Sequence, residues 1–291
     1  MKKVLHYLSI MNRARGFGHF FPSREDIAPS PKGTHEAPTQ GHFGKRLSQE
    51  VHWFRHSTHH LTLADWPSLH ILHLTDLHIR NEGDFLDRVI NEVRGLTPDL
   101  IVLTGDLITK GWTHRAIEHF LSALPDVPKV AVLGNWEHWM VGNLTDWQAR
   151  LHHHNITLLV DEWLSLQFND TIVNIVGTDD HLAGHSDLQT LCQDIPTGPA
   201  LCLTHSPGYF DQLCQYPLDL ILAGHAHGGQ IRIPKLGALW VPRGTKQYVA
   251  GWYQQNESHL FVSRGLGWSV APIRLQCPPE VAHIFINHSH Q

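Results

Sequence analysis

Seven side chains in this sequence are of types that bind divalent cations, and they stand just after short apolar runs. Asp76-Leu77-His78 follows LHILHLT, Asp106 follows LIVLTG, Asn135 follows VAVLG, His205 follows ALCLT, and His225-Ala226-His227 follows LILAG. The set is two carboxylates, one amide and four imidazoles. Such a mixture suits Mn, Fe or Zn better than a thiolate-type site would. Alternate residues of an extended segment point the same way, so both members of Asp-x-His and of His-x-His can reach one site. Two neighbouring cations repel each other, and a carboxylate in the middle of the set, Asp106, is the natural bridge. A pair about 3.5–4 Å apart can activate one water and clamp a phosphoryl oxygen, which is the chemistry of phosphoester hydrolysis.

Plainer readings exist for each residue alone. A Gly-Asp after a strand is usually a turn or a helix cap, and His205 before Ser206-Pro207 reads equally as a loop histidine. With 26 histidines in the chain, a single Asp-x-His carries little weight. Five such strand ends in succession weigh far more, because ligands of α/β sheets gather where strand carboxyl ends and their loops converge.

The elements that must position these residues are legible from periodicity. LHILHLT is an apolar run, and in DFLDRVINEVRG the residues Phe85, Leu86, Val89, Ile90 and Val93 form a stripe at helical spacing. PDLIVLTGD reads as a buried strand, WTHRAIEHFLSAL as a second amphipathic helix and PKVAVLGN as a third strand. That alternation implies βαβ units and parallel pairing. TIVNIVG, PALCLTH, LDLILAG, LFVSRG and VAHIFIN follow with fewer helices between them, so the second half reads as a second sheet packed on the first.

The totals set bounds. The chain has 291 residues, 42% of them hydrophobic, enough for a sizeable core. A net charge of −5, with no Lys/Arg-rich stripe, argues against a nucleic-acid partner. Cys192, Cys202, Cys214 and Cys277 lack Cys-x-x-Cys spacing and are expected to be reduced, in a cytoplasmic setting. Residues 16–50 are rich in Gly, Pro, Ser and Thr, so residues 1–60 are expected to form a partly flexible arm before a domain over 61–291. Val4, Leu5, Leu8 and Met11 beside basic residues allow peripheral contact with the cytoplasmic face of the inner membrane.

DLH (76–78), GD (105–106), GN-x-E (134–137), THS (204–206) and GHAH (224–227) resemble, in this order, the motifs of the calcineurin-like metallophosphoesterases. The likeness runs over about residues 69–287, and GHAHGGQIRIP, KQYVAGWY, SRGLG and CPPE are similar to a bacterial YkuE/YaeI-like phosphodiesterase branch related to UDP-2,3-diacylglucosamine hydrolases. The resemblance implies an α/β fold, a four-layer αββα sandwich of two mixed β-sheets. It implies one ion on Asp76, His78 and His227, a second on Asn135, His205 and His225, and Asp106 between them. Mn²⁺ is the expected metal, with Fe or Zn as alternatives. Gly105, Gly134 and Gly224 are expected to allow tight turns beside the ligands.

One position departs from the family. The pattern usually reads GNH, its histidine serving the phosphoryl oxygen or the leaving group; here Trp136 stands there. An indole N–H donates a hydrogen bond but shuttles no proton near neutral pH. Catalysis is therefore expected from Asp106 and Asn135, with His138 as the replacement acid. Trp136, His181 and Arg264 are the candidate substrate contacts, and Asp179 and Asp180 candidate orienters of a ligand histidine. Arg264 reads equally as half of a structural salt bridge. The function expected is metal-dependent hydrolysis of phosphodiester or pyrophosphate bonds in a phosphorylated small molecule or a lipid-linked nucleotide. The alternatives are UDP-2,3-diacylglucosamine pyrophosphohydrolysis in lipid A synthesis and a non-catalytic binding module of the same fold.

Overall fold

Apolar runs with no polar alternation are what a strand needs when both its faces are covered, and burial sorts them that way. The structure, a computed structural model, describes residues 50–288 and the backbone of residues 18–20. In chain order the elements begin with β1 (Gly18–Phe20), β2 (Arg55–Leu63), β3 (Leu69–Leu74), α1 (Asp84–Val93), β4 (Leu100–Thr104), α2 (His114–Ala123) and β5 (Lys129–Val132). There follow α3 (Asn135–Met140), α4 (Leu144–His153), β6 (Ile156–Leu158), β7 (Glu162–Phe168), β8 (Thr171–Gly177), α5 (Leu188–Gln193), β9 (Ala200–Leu203) and α6 (Phe210–Leu213). The remainder is β10 (Leu220–Ala223), β11 (Arg232–Ile233), β12 (Gly237–Ala238), β13 (Trp240–Pro242), β14 (Gly251–Gln255), β15 (Ser258–Val262) and β16 (Glu280–His288).

Two six-stranded sheets form, in the orders β2-β16-β3-β4-β5-β6 and β14-β15-β10-β9-β8-β7. Both are mixed. In the first, β16 runs parallel to β2 and antiparallel to β3, and β3 to β6 are parallel. In the second, only the outer pairs β14–β15 and β7–β8 are antiparallel. Leu72, Leu74, Ile101, Leu103 and Ala131 face α1, α2 and α4. Their alternates Ile71, Leu100, Val102, Val130 and Val132 meet Val173, Ile175, Leu201, Leu203, Leu222 and Phe261 of the other sheet. The second sheet turns Val176, Cys202, Ile221 and Ala223 to α5 and α6. The four-layer αββα sandwich is therefore present, with an apolar layer at each interface.

The helical stripe expected in α1 is buried at Leu86, Val89, Ile90 and Val93. Thr113 caps α2 by accepting from the Ala116 N–H. Two elements depart from the expected layout. VAHIFIN, read with the second sheet, returns as β16 to the first, between β2 and β3. Strand β2 spans the boundary drawn at residue 60. The membrane-contact expectation for the N-terminal segment lies outside the described residues. Among those described, no helix is long and apolar enough to cross a membrane, and the four cysteines are buried free thiols.

The layer between the sheets should carry most of the stability. Leu222→Ala, at a fully buried site in that layer, is expected to cost about 2–5 kcal/mol in urea unfolding. Ile172→Ala, on an exposed side chain, should stay within about 0.5 kcal/mol of the wild type.

Candidate metal centre

The five strands whose ends carry the candidate ligands end at one place. Asp76 and His78 follow β3, Asp106 follows β4, Asn135 opens α3 directly after β5, His205 follows β9, and His225 and His227 follow β10. All seven are buried. Asp76, His78, Asp106, His225 and His227 hold φ values between 49° and 65°. That left-handed conformation is rare for residues with a side chain and clusters at functional sites. Of the three glycines expected to ease turns, only Gly105 has positive φ, at 83°. Gly134 and Gly224 are required for a different reason, close approach. A Cβ on Gly134 would stand 2.4 Å from Asp106 Oδ1, and one on Gly224 would stand 2.1 Å from Thr75 Oγ1.

The candidate ligands form two groups, Asp76–His78–His227 and Asp106–His205–His225, with the donor atoms of each group within 4.8 Å of one another. His227 Nε2 lies 3.3 Å from Asp76 Oδ1 and 3.0 Å from His78 Nε2. In the second group His205 Nδ1 donates to the Thr104 carbonyl at 2.7 Å, and His225 Nε2 to the Arg243 carbonyl at 2.7 Å. A carbonyl only accepts, so the proton sits on those nitrogens. His205 Nε2 and His225 Nδ1, 3.1 Å apart, are the ring nitrogens left facing the centre. Asp106 stands between the groups. Its Oδ1 accepts from the Trp136 N–H at 2.9 Å, while its Oδ2 is 3.3 Å from His205 Nε2 and 3.7 Å from His78 Nε2.

Such a constellation fits cations on two grounds. Asp76 Oδ1 and Asn135 Oδ1 are buried oxygens without a hydrogen-bond partner, a costly state for an acceptor. The electrostatics also call for positive charge. Burial, with Asp106 nearby, pushes Asp76 up to about 7. Burial pulls His78 down to about 4 and His227 well below its usual value, which leaves both rings neutral and able to ligate. For His205 burial acts downward too, but Asp106, Asp76 and Asp180 together outweigh it and hold the ring well above the usual range.

One organising residue was quoted in the GN-x-E motif but given no role there. Glu137, on the first turn of α3, accepts from the N–H groups of Asp106, Leu107, Ile108 and Gly134. The bond to Gly134 is half of a capping box. The S/T/D/N-x-x-E spacing that signals such a box is broken here by the glycine. Arg274 was also missed. Fully buried, it donates to the carbonyls of Arg264, Gly265, Gly267 and Cys277. It thereby holds the loop whose Leu266 and Gly267 N–H groups bond to the carbonyls of Thr75 and Asp76.

The remaining expected residues divide. Trp136 lines a cleft of about 330 Å³ above Asp106, Asn135, His225 and His227. It meets His78 edge to face at 5.8 Å and Trp139 at 5.6 Å. Leu182, Trp240, Pro242 and Val270 complete an apolar wall, and Arg243 and Ser269 add polar groups. His138 does not turn to this cleft: its Nε2 is bonded to Asp179 Oδ1 at 2.6 Å, which joins α3 to the loop after β8. His181 stacks on Tyr209, centroids 4.2 Å apart. Arg264 faces Glu280 at 3.8 Å, the structural salt bridge of the two readings. Neither Asp179 nor Asp180 bonds a candidate ligand histidine; Asp180 accepts from Ser206 Oγ and from the N–H groups of Leu182 and Ala183.

Fold and site together define a class. The calcineurin-like phosphoesterase family profile matches residues 69–229, and the chain belongs to that family of metal-dependent hydrolases, as a phosphoester hydrolase. Metallophosphoesterase YkuE of Bacillus subtilis (strain 168) is 32% identical over 216 residues, covering 72% of this chain and 74% of YkuE. Phosphodiesterase YaeI of Escherichia coli (strain K12) is 31% identical over 263 residues, covering 84% of this chain and 92% of YaeI. UDP-2,3-diacylglucosamine pyrophosphatase LpxG of Chlamydia trachomatis serovar D is 26% identical over 273 residues, covering 73% of this chain and 82% of LpxG.

Two outcomes follow from this geometry. Glu137→Gln sets an NH₂ against backbone donors, so it should cost about 2–4 kcal/mol. By calorimetry the melting temperature should fall by about 5–10 °C. His138 is raised by its bond to Asp179, against burial, and Asp179 is lowered because His138 and backbone N–H groups outweigh its burial. The histidine's share of stability is full below its unfolded value of about 6.5 and is lost as pH rises through the raised folded value. The aspartate's share is present above about 3.8 and lost on acidification. Denaturation of His138→Ala against wild type should show the larger deficit near pH 5.5 and a smaller one at pH 9.

Proposed function

We propose that this chain hydrolyses phosphodiester or pyrophosphate bonds whose leaving group departs without a proton from the protein. Asp76, His78 and His227 would hold one divalent cation, Asn135, His205 and His225 a second, and Asp106 both. When bound, the cations neutralise phosphoryl charge and acidify the attacking water. The protein's part is to fix the donors: the Thr104 and Arg243 carbonyls lock the tautomers of His205 and His225, and Glu137 ties the backbone of Asp106 to that of Gly134, the neighbour of Asn135. Mn²⁺ is the expected ion, with Fe or Zn as alternatives.

The observation that carries the leaving-group reading is the lining of the cleft. Apart from the candidate ligands and the indole N–H groups of its tryptophans it offers Arg243 and Ser269 as polar side chains, and no further carboxyl or imidazole. General-acid help is worth about 10²–10⁴-fold, mostly for basic leaving oxygens. A centre without it favours phosphoanhydrides and activated esters over alkyl monoesters. The tryptophan-lined wall favours a second, finer reading, UDP-2,3-diacylglucosamine with its acyl chains against Trp136, Trp139 and Trp240. The likeness to LpxG supports the same substrate. UMP release from that substrate tests it; no release, while a generic diester is cleaved, removes it.

Chelation should abolish hydrolysis of bis(p-nitrophenyl) phosphate, and Mn²⁺, Fe²⁺ or Zn²⁺ should restore it to different extents. Asp106→Ala should lose activity and bind fewer than two ions per chain by elemental analysis. Retention of two tightly held ions would sink the bridging assignment. Rates should fall steeply as the leaving phenol becomes more basic, and Trp136→His should recover about 10²-fold for the most basic one.

A further inference from the structure

A second cavity, of about 390 Å³, opens beside the centre on the side of His78. It meets the tryptophan cleft at Ser269 and Val270, which line both. The two hollows thus flank the candidate metal centre, and their characters differ. Where the first is walled by indoles and aliphatic groups, the second is rimmed by Arg80, Asn81, Glu82, Asp84 and Thr109. Its one aromatic face is made by Phe85 and Trp268, packed edge to face with centroids 4.6 Å apart.

Three rim side chains are uncommitted. Among the described residues, those of Arg80, Asn81 and Thr109 make no hydrogen bond or ion pair, whereas Glu82 accepts from Arg115 Nε at 2.9 Å. The charges do not suit a second anion, since two carboxylates stand against one guanidinium. Carboxylates, an amide and a hydroxyl around an aromatic plane instead match a ring that carries several hydroxyls. The polar groups bond its edge and the indole covers its face.

We propose that this pocket binds a polyhydroxylated ring, the ribosyl or glycosyl arm of the substrate, while the other arm lies in the tryptophan cleft. The proposal rests on the phosphohydrolase reading above, because it places the scissile phosphoryl group between the two hollows. It makes the preferred substrate asymmetric, with one hydroxyl-rich arm and one apolar arm. Asn81 and Trp268 become specificity-determining residues.

The test compares ethyl, uridine 5′- and glucose 6-(p-nitrophenyl phosphate), which share one leaving group. The metal-loaded protein should show a KM for at least one ring ester about tenfold below that for the ethyl ester. Asn81→Ala and Trp268→Ala should each remove most of that difference, and the ring that gains separates a nucleoside from a sugar. Ile172→Ser, on an exposed side chain remote from both hollows, should leave all three KM values at the wild-type level. Saturation-transfer NMR with uridine and with methyl glucoside on metal-free protein reads the pocket without hydrolysis. The favoured ring should show transfer that Trp268→Ala loses. Equal KM values for the three esters, or a difference that survives both variants, overturns the pocket. Ring binding that obeys the variants, with no ester cleaved, sustains the pocket and overturns the diester reading instead.

Discussion

One buried carboxylate keeps the middle of the centre in register. Glu137 gathers four backbone N–H groups, from the loop after β4 and from the start of α3. All four partners are donors and favour the ionised carboxylate, while burial, with Asp106 nearby, pushes it the other way, up to about 7. The same bonds set Asp106 and Asn135, from two different strands, at a fixed separation. Asp106 then bonds back to the Trp136 N–H, closing a ring of contacts in which neither loop can shift alone.

Around that clamp the molecule tolerates what a dry interior normally forbids. Two carboxylates and four imidazoles are buried together, and burying charge without compensation is expensive. Left-handed backbone at five of the seven candidate ligands costs roughly 1–2 kcal/mol per residue. These costs persist because close packing leaves no alternative. Gly134 lies against Asp106, Gly224 against Thr75 and Asp76, and Gly265 against Asp76. Arg274 ties the loop over Asp76 from behind. Cations shared by these donors would offset the repulsion that the strain and burial maintain.

Much of this was legible because parallel strands end at one edge. Once LHILHL, LIVLT, KVAV, ALCL and LILA were read as strands, the residues after them had to converge, and they do. A second sheet packed on the first was legible in the same runs; the four αββα layers came with the resemblance of the motifs. What escaped depended on reach across the fold. His138 has the spacing to enter the cleft, but Asp179, 41 residues later, captures it. Arg264 and Arg274 look alike in sequence; Glu280 faces one, and backbone carbonyls enclose the other. Trp240 joins Trp136 in one wall from a strand with no periodic signal of its own. VAHIFIN has the composition of any buried strand, and nothing local says which sheet it enters.

That last strand has a consequence for biosynthesis. Among the described residues β2 sits at the rim of the first sheet and pairs there only with β16, as the contact of His56 with His283, 227 residues apart, illustrates. During translation β2 and β3 therefore emerge early and wait, with an open slot between them, until Glu280–His288 leaves the ribosome. Closure of so distant a pairing is slow and leaves unsatisfied strand edges exposed meanwhile. A nascent chain stalled short of β16 would present those edges to chaperones, because the first sheet closes only once that strand has emerged.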